Sequence, residues 1–328
     1  MLHSKIVKVL ITSGLFVTLF FFASYNVVVD SNIIDNKVSL HQHQNNSEPT
    51  EVTTTLSFNT NKSEETISNA PPKVLILTQW RSGSSFLGSL LAPDEESFYV
   101  FEPFINVNFS GTPIEDQAEN PSQEAVEYVK TFLHQIYDCI KPENLQLTFS
   151  LQLAHSKLKK CSNAKIKLLK TVRVRYNTVK DWIRDSDIKV VHLVRDPRAI
   201  LNSRLLLHWD TEVETVCRNL NQDLQLSSVM NDQNYYRVKY EDLVEDTTTI
   251  VKKLYDFVGM TFTDDVEQHI SKLKNGRQDS NIFFGVERSA GWNINHWRQR
   301  MPMKLIKNIE KSCAKFMKIM KYQMIADI

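Results

Sequence analysis

The chain has 328 residues, 42% hydrophobic and 23% charged, with a formal net charge of +1. That length holds one large domain plus appendages, and the composition is ordinary for a globular protein. The near-neutral charge gives no electrostatic case for nucleic acid or for an acidic partner, so any anion site must be local.

The first element is an apolar run. Val9 to Val29 reads VLITSGLFVTLFFFASYNVVV, close to the roughly twenty residues that span a bilayer. Lys5 and Lys8 precede it, and Asp30 and Asp35 follow it. The positive-inside bias predicts a cytoplasmic tail at 1–8, a transmembrane signal-anchor at 9–29 and a luminal remainder. A cleaved signal peptide is the competing reading. The run is longer than the usual h-region of about 7–15 residues, and no A-x-A site follows it. Residues 30–71 are rich in Asn, Gln, Ser, Thr and Glu and read as a flexible stem. Asn45, Asn61 and Asn108 begin glycosylation triplets, each weak alone.

From residue 72 onward, strand-like and helix-like segments alternate. Strands are expected at Val74–Thr78, Phe98–Phe101, Lys165–Leu169 and Ile188–Val194. Helices are expected at Ser84–Leu91, Gln123–Cys139, Tyr176–Arg184, Ala199–Leu207, Glu212–Met230 and Thr247–Val258, and from Pro302 onward. Pro197 suits the first turn of the fourth of these helices, with Asp196 as its cap. The last helix carries a lysine-rich face over an apolar stripe, which reads as a solvated face. Continuous apolar strands separated by helices predict an α/β fold with a parallel sheet covered on both sides. Ligands in such folds bind beyond the carboxyl ends of the strands.

Two polar motifs stand at those ends. QWRSGSSFLG, residues 79–88, follows the first strand. Its Gly83 lets backbone N–H groups turn around an anion, while Ser82, Ser84 and Ser85 add hydroxyls and Arg81 a permanent charge. The nucleotide-triphosphate loop G-x-x-x-x-G-K-[ST] is excluded, because no lysine lies here and the spacing differs. A serine-rich turn without a ligand is the plainer alternative. The second motif, VVHLVRDPRAILNSR, ends the strand at Val194 and continues as Arg195, Asp196, Pro197, Arg198, Ala199, Ile200, Leu201, Asn202 and Ser203. Arg195 at the strand end and Ser203 on the helix could pinch a second anion.

Together these stretches resemble the 3′-phosphoadenylyl sulfate (PAPS) site of Golgi carbohydrate sulfotransferases. The match is closest to the branch that acts on the 6-hydroxyl of galactose, N-acetylglucosamine or N-acetylgalactosamine. Phe101-Glu102-Pro103, VCRNL from Val216, VKYEDLV from Val238, His296-Trp297-Arg298 and Cys313-Ala314 stand in the same order as in the family. The resemblance covers roughly residues 73–322. It implies a sulfotransferase fold over 72–328, a P-loop-like parallel sheet flanked by helices. It also implies PAPS as donor without a metal, a glycan as acceptor, and a single-pass type II Golgi membrane protein; a homodimer stays open. Arg81, Ser82, Gly83, Ser84, Ser85, Phe86 and Leu87 would hold the 5′-phosphosulfate, and Arg195 and Ser203 the 3′-phosphate. Arg288-Ser289 resembles a third donor-contacting stretch, although the following Ala-Gly-Trp-Asn-Ile-Asn departs from the family pattern.

For the chemistry, Arg81 would neutralise the leaving phosphate and Glu102 would take the acceptor proton. His192 interrupts a buried strand and reads as a core histidine. Two other classes stay open. One is a P-loop-type sugar or nucleotide kinase, and the other an inactive membrane-anchored glycan-binding protein on the same fold. Four cysteines without metal-ligand spacing favour disulfides in an oxidising lumen, and three pairings are open to them. We expect Cys217–Cys313 and Cys139–Cys161, the first of which would tie the final helix to an internal one.

Overall fold

The computed structural model describes residues 27–28, 70–142, 158–209, 212–275 and 294–325. Of the expected span 9–29 only Val27–Val28 fall within them. They form a two-residue strand β1, paired in parallel with Val107–Asn108. No helix among the described residues is long and apolar enough to cross a membrane. Most of the stem and Arg288 lie outside the described residues.

The chain then runs through β2 (Lys73–Thr78), α1 (Ser84–Leu91), β3 (Ser97–Phe101), the small pair β4 (Val107–Phe109) and β5 (Thr112–Pro113), and α2 (Gln123–Tyr137). After these come β6 (Ile166–Thr171), α3 (Tyr176–Arg184), β7 (Lys189–Val194), α4 (Pro197–Leu205), α5 (Val213–Asp223) and β8 (Tyr235–Lys239). Helices α6 (Tyr240–Glu245), α7 (Thr247–Val258), α8 (Asp264–Asn275), α9 (Met303–Ser312) and α10 (Ala314–Ile319) follow, with single helical turns at Ile114–Gln117, Leu226–Val229 and Trp297–Arg300 between the longer elements.

Five strands form one parallel sheet in the order β3-β6-β2-β7-β8. The first of them in sequence, β2, is therefore central, and the chain crosses to one side of it before crossing to the other. A crevice opens at such a switch point, outside the carboxyl ends of the strands. Both faces of the sheet are covered. Leu75, Leu77, Leu169 and Val190 face α2 and α3 in one apolar cluster. Val74, Ile76, Leu168, Val191 and Leu193 face α1, α7 and α8 in another. A third cluster joins α4, α5, α9 and α10.

Local signals set most boundaries. Ser122 caps α2 by accepting from the Ala125 amide (3.2 Å), and Asp196 caps α4 by accepting from the Arg198 amide (2.8 Å). The helix expected over Glu212–Met230 breaks after Asp223. Leu220 and Leu224 pack into the third cluster, whereas Leu226 packs into the first, so the chain must turn between them. The last helix likewise divides at Cys313. Both expected disulfides are present, Cys139–Cys161 with Cα atoms 5.6 Å apart and Cys217–Cys313 with Cα atoms 4.8 Å apart. The sequence reading did not anticipate β8, α6 or α8.

Candidate active site

The loop between β2 and α1 is shaped by two left-handed residues, Arg81 (φ 68°) and Gly83 (φ 92°). Only glycine adopts this conformation without steric penalty. A Cβ at Gly83 would also stand 2.2 Å from the Tyr240 ring. Tyr240 is packed there because it carries Arg195, whose guanidinium lies 4.3 Å from the ring centroid. Arg195 in turn donates to the Arg81 carbonyl (2.8 Å), and Arg81 Nε donates to Ser203 Oγ (2.9 Å). The two sequence motifs thus meet at one place. Strand pairing explains the meeting, because Thr78 at the end of β2 lies beside Leu193 of β7 and donates to its carbonyl (2.6 Å).

Around this loop the structure gathers cations that the motifs did not disclose. Arg175 is buried, donates to the Thr78 carbonyl (3.0 Å) and pairs with buried Asp223 (2.8 Å), fixing the end of β2. Arg204 donates to Gln79 Oε1 (3.2 Å) and lies 5.5 Å from the Trp80 ring centroid. Burial, with Arg175 and Arg81 nearby, pushes its pKa down to about 9. Arg173 lies 4.3 Å from the same ring. Trp209 meets Trp80 edge-on at 5.5 Å and stands 5.9 Å from the Arg81 guanidinium. Several buried polar atoms here have no partner among the described residues: Gln79 Nε2, Trp80 Nε1, Ser82 Oγ, Arg173 Nε and Arg204 Nε. Buried donors left unmade are costly, and their concentration at one strand end is what an anionic ligand would satisfy.

Glu102 stands on the same edge, at the end of β3, with a left-handed backbone (φ 45°). The register places Phe101 beside Lys170 of β6, and Lys170 Nζ meets Glu102 Oε1 at 2.7 Å. Lys170 also lies 3.4 Å from the Phe101 ring centroid. Burial drives its pKa down to about 8 despite Glu102, with Arg173 and Arg81 adding to the fall. Arg173 is 3.9 Å from Glu102 Oε2 and holds Glu115 at 2.7 Å. The arrangement offers a carboxylate, a buried amine and several guanidiniums within one crevice. It can bind a polyanion and accept a proton beside it.

The other predicted residues divide. Ser82 is buried in the loop and Ser84 at the start of α1, and Ser85 and Phe86 are half-exposed on α1. Leu87, Ala199, Ile200 and Leu201 present core side chains. Arg198 is not brought to the loop. It is clamped between Asp196 (2.7 Å) and Glu310 (2.6 Å) over the Trp297 ring, tying α4 to α9. Pro197 and Asn202 are buried on α4. His192 is a core histidine as expected. It lies 2.8 Å from the Tyr235 hydroxyl, and burial, with Arg237 and Arg175, holds its pKa down to about 3. Sequence reasoning missed Lys170, Arg173 and Arg204. The available signal for the first two was the run Lys170-Thr171-Val172-Arg173-Val174-Arg175 closing an apolar strand, and Arg204 is the last residue of the second motif.

Comparison with known proteins bears on this crevice. The sulfotransferase domain family matches residues 71–321. Carbohydrate sulfotransferase 1 of Danio rerio is 27% identical, the match covering 78% of this chain and 77% of that one. Carbohydrate sulfotransferase 2 of Homo sapiens is 24% identical over 77% of this chain and 65% of its own length. Similar solved structures include the sulfotransferase domain of the Synechococcus PCC 7002 olefin synthase, with 20% identity, a TM-score of 0.46 and coverage of 77% and 96%. Another is retinol dehydratase with androsterone and PAP, with 15% identity, a TM-score of 0.44 and coverage of 75% and 80%. The chain belongs to the sulfotransferase family, and the relatives it matches there are carbohydrate sulfotransferases.

Proposed function

We propose that this protein moves the sulfuryl group of PAPS to a sugar hydroxyl of a glycan. The hydroxyl is the 6-OH of galactose, N-acetylglucosamine or N-acetylgalactosamine, and the work is done from the luminal side of a Golgi membrane anchor. The observation that carries the reading is the linked Ser203–Arg81–Arg195 arrangement at the central strand, set among buried donors that have no partner among the described residues. It suits a ligand bearing two anionic groups, as this donor does.

PAPS supplies an activated S–O bond to phosphate. That bond breaks as a new one forms to the acceptor oxygen. Arg81 and the loop amides steady the charge left on the departing phosphate, acting as fixed donors where it develops. Arg195 and Ser203 hold the donor's 3′-phosphate. Glu102 takes the proton of the acceptor hydroxyl, its carboxylate held in place by Lys170 at 2.7 Å. The left-handed backbone at Arg81 and Glu102 is the kind of local strain that functional positions retain.

The test is incubation of the purified full chain with sulfate-labelled PAPS and a panel of sugar acceptors, with labelled ATP in parallel. Label on a sugar from PAPS alone supports the reading. Phosphate transfer from ATP would make the protein a kinase. Glycan binding with no transfer from either donor would make it a binding protein on this fold.

A further inference from the structure

The two C-terminal helices carry a feature that the transfer site does not use. In α9 and α10, Lys304, Lys307, Lys311, Lys315 and Lys318 recur every three or four residues, all exposed. This spacing lays them along one face. Among the described residues none of them pairs with a carboxylate. Glu310, the acid within the stretch, is buried and taken by Arg198. From the neighbouring α5, Glu214 approaches, accepting from Ser312 Oγ at 3.2 Å. Like charges at this spacing oppose a helix. Here they accumulate in a chain whose net charge is only +1. The Cys217–Cys313 bridge and the core face of these helices hold the stripe together against that repulsion.

We propose that this lysine stripe is a holding surface for a linear polyanionic glycan, separate from the transfer site. It rests on the reading that the acceptor is a glycan. Lys304 to Lys311 span about 10 Å of α9 at about 1.5 Å per residue, and Lys315 and Lys318 continue the stripe on α10 beyond the break at Cys313. Its far end adjoins the crevice. Tyr322 donates to Glu241 Oε2 (2.8 Å), and Glu241 Oε1 accepts from the Asp196 amide (3.0 Å), next to Arg195. A bilayer fits less well. A helix lying in a membrane surface must bury an apolar face there. The apolar face of these helices, Ile306, Ile309, Phe316, Met317 and Met320, is already packed in the core. The exposed apolar residues Met303 and Ile319 stand at opposite ends.

The experiment uses the full chain with Lys307, Lys311, Lys315 and Lys318 all changed to Gln, and a second version with the same four changed to Arg. Dextran sulfate, neutral dextran and phosphatidylserine vesicles are the binding probes, and a disaccharide acceptor reports turnover. The Gln version is expected to bind dextran sulfate about tenfold more weakly at low ionic strength. That difference is expected to vanish near 1 M salt, where screening acts within about 3 Å. The Arg version keeps the binding, and disaccharide turnover stays unchanged in both. Unaltered dextran sulfate binding in the Gln version overturns the stripe while leaving sulfate transfer standing. Lysine-dependent binding of vesicles but not of dextran sulfate overturns it in favour of a membrane contact. Loss of disaccharide turnover in the Gln version places the lysines in the fold or the transfer site and also overturns it. A wild type that sulfates no sugar yet binds dextran sulfate through these lysines keeps the surface and removes the transferase reading.

Discussion

Gly83 shows how much of the crevice hangs on one missing side chain. Alanine there must hold a left-handed backbone, which costs about 1–2 kcal/mol, and must push aside a ring 2.2 Å away. That ring is Tyr240, and Arg195 rests against it. Gly83→Ala is therefore expected to weaken binding of the desulfated donor product by at least about tenfold, or about 1.4 kcal/mol, as read by titration calorimetry. Unchanged affinity would show that the loop does not hold the donor. Glu102→Gln should behave oppositely. Turnover falls by about 10²–10⁴, the usual worth of proton transfer, while product binding persists. Near-normal turnover removes Glu102 from the mechanism. Lys170 adds a pH dependence. Its folded pKa of about 8 lies below the ordinary 10.5, so above about pH 8 the amine is neutral and Glu102 loses the nearer of its two ionic partners, keeping only Arg173 at 3.9 Å. Turnover should decline on that alkaline side. Lys170→Arg should move the decline upward, because a guanidinium keeps its proton; a pH–rate profile whose limb stays put excludes Lys170. Unfolding through this group is not the cause. The unfolded chain binds the proton more tightly, so stability from this lysine rises as pH climbs from about 8 to 10.5.

At the scale of elements, the Cys217–Cys313 bridge joins α5 to the end of α9 across a sequence separation of 96. Replacing both cysteines by serine should lower stability by roughly 2–5 kcal/mol, seen as a lower urea midpoint. An unchanged midpoint would mean that packing of the third cluster alone secures these helices. The neighbouring elements also show what a sequence discloses. β2, the loop and α1 were legible because an apolar run, Gly83 and a helix start are all local signals. β8 was not, because an edge strand pairs on one side only and carries Arg237 and Lys239 among its apolar residues. α8 was hidden for a related reason: Val266, Ile270 and Leu273 form a thin buried stripe in an otherwise charged helix. In the crevice, Arg81, Arg195 and Ser203 could be read from motifs. Lys170 could not, because its meeting with Glu102 follows from the pairing of β3 with β6, which only the assembled sheet decides.

For the whole molecule, the proposed anchor makes a test that no side chain in the crevice influences. By the positive-inside rule, Lys5 and Lys8 before the apolar run and Asp30 after it would orient residues 30–328 of such an anchored chain toward the lumen. Protease added to sealed microsomes should leave that portion intact until detergent is added. Digestion in sealed vesicles would overturn the orientation and the Golgi placement together. The clamp on Arg198 has a consequence for how the protein is made. Its guanidinium holds Asp196 two residues away and also Glu310, which lies 112 residues further along the chain. Synthesis proceeds from the amino end, so α4 leaves the ribosome with Asp196 as the only one of these two carboxylates yet made. The clamp that ties the helix bearing Ser203 to α9 is therefore completed only after nearly all of the chain has been translated. Docking of α4 on α9 is thus a late event in biosynthesis, even though the central strand is among the first parts of the domain to emerge.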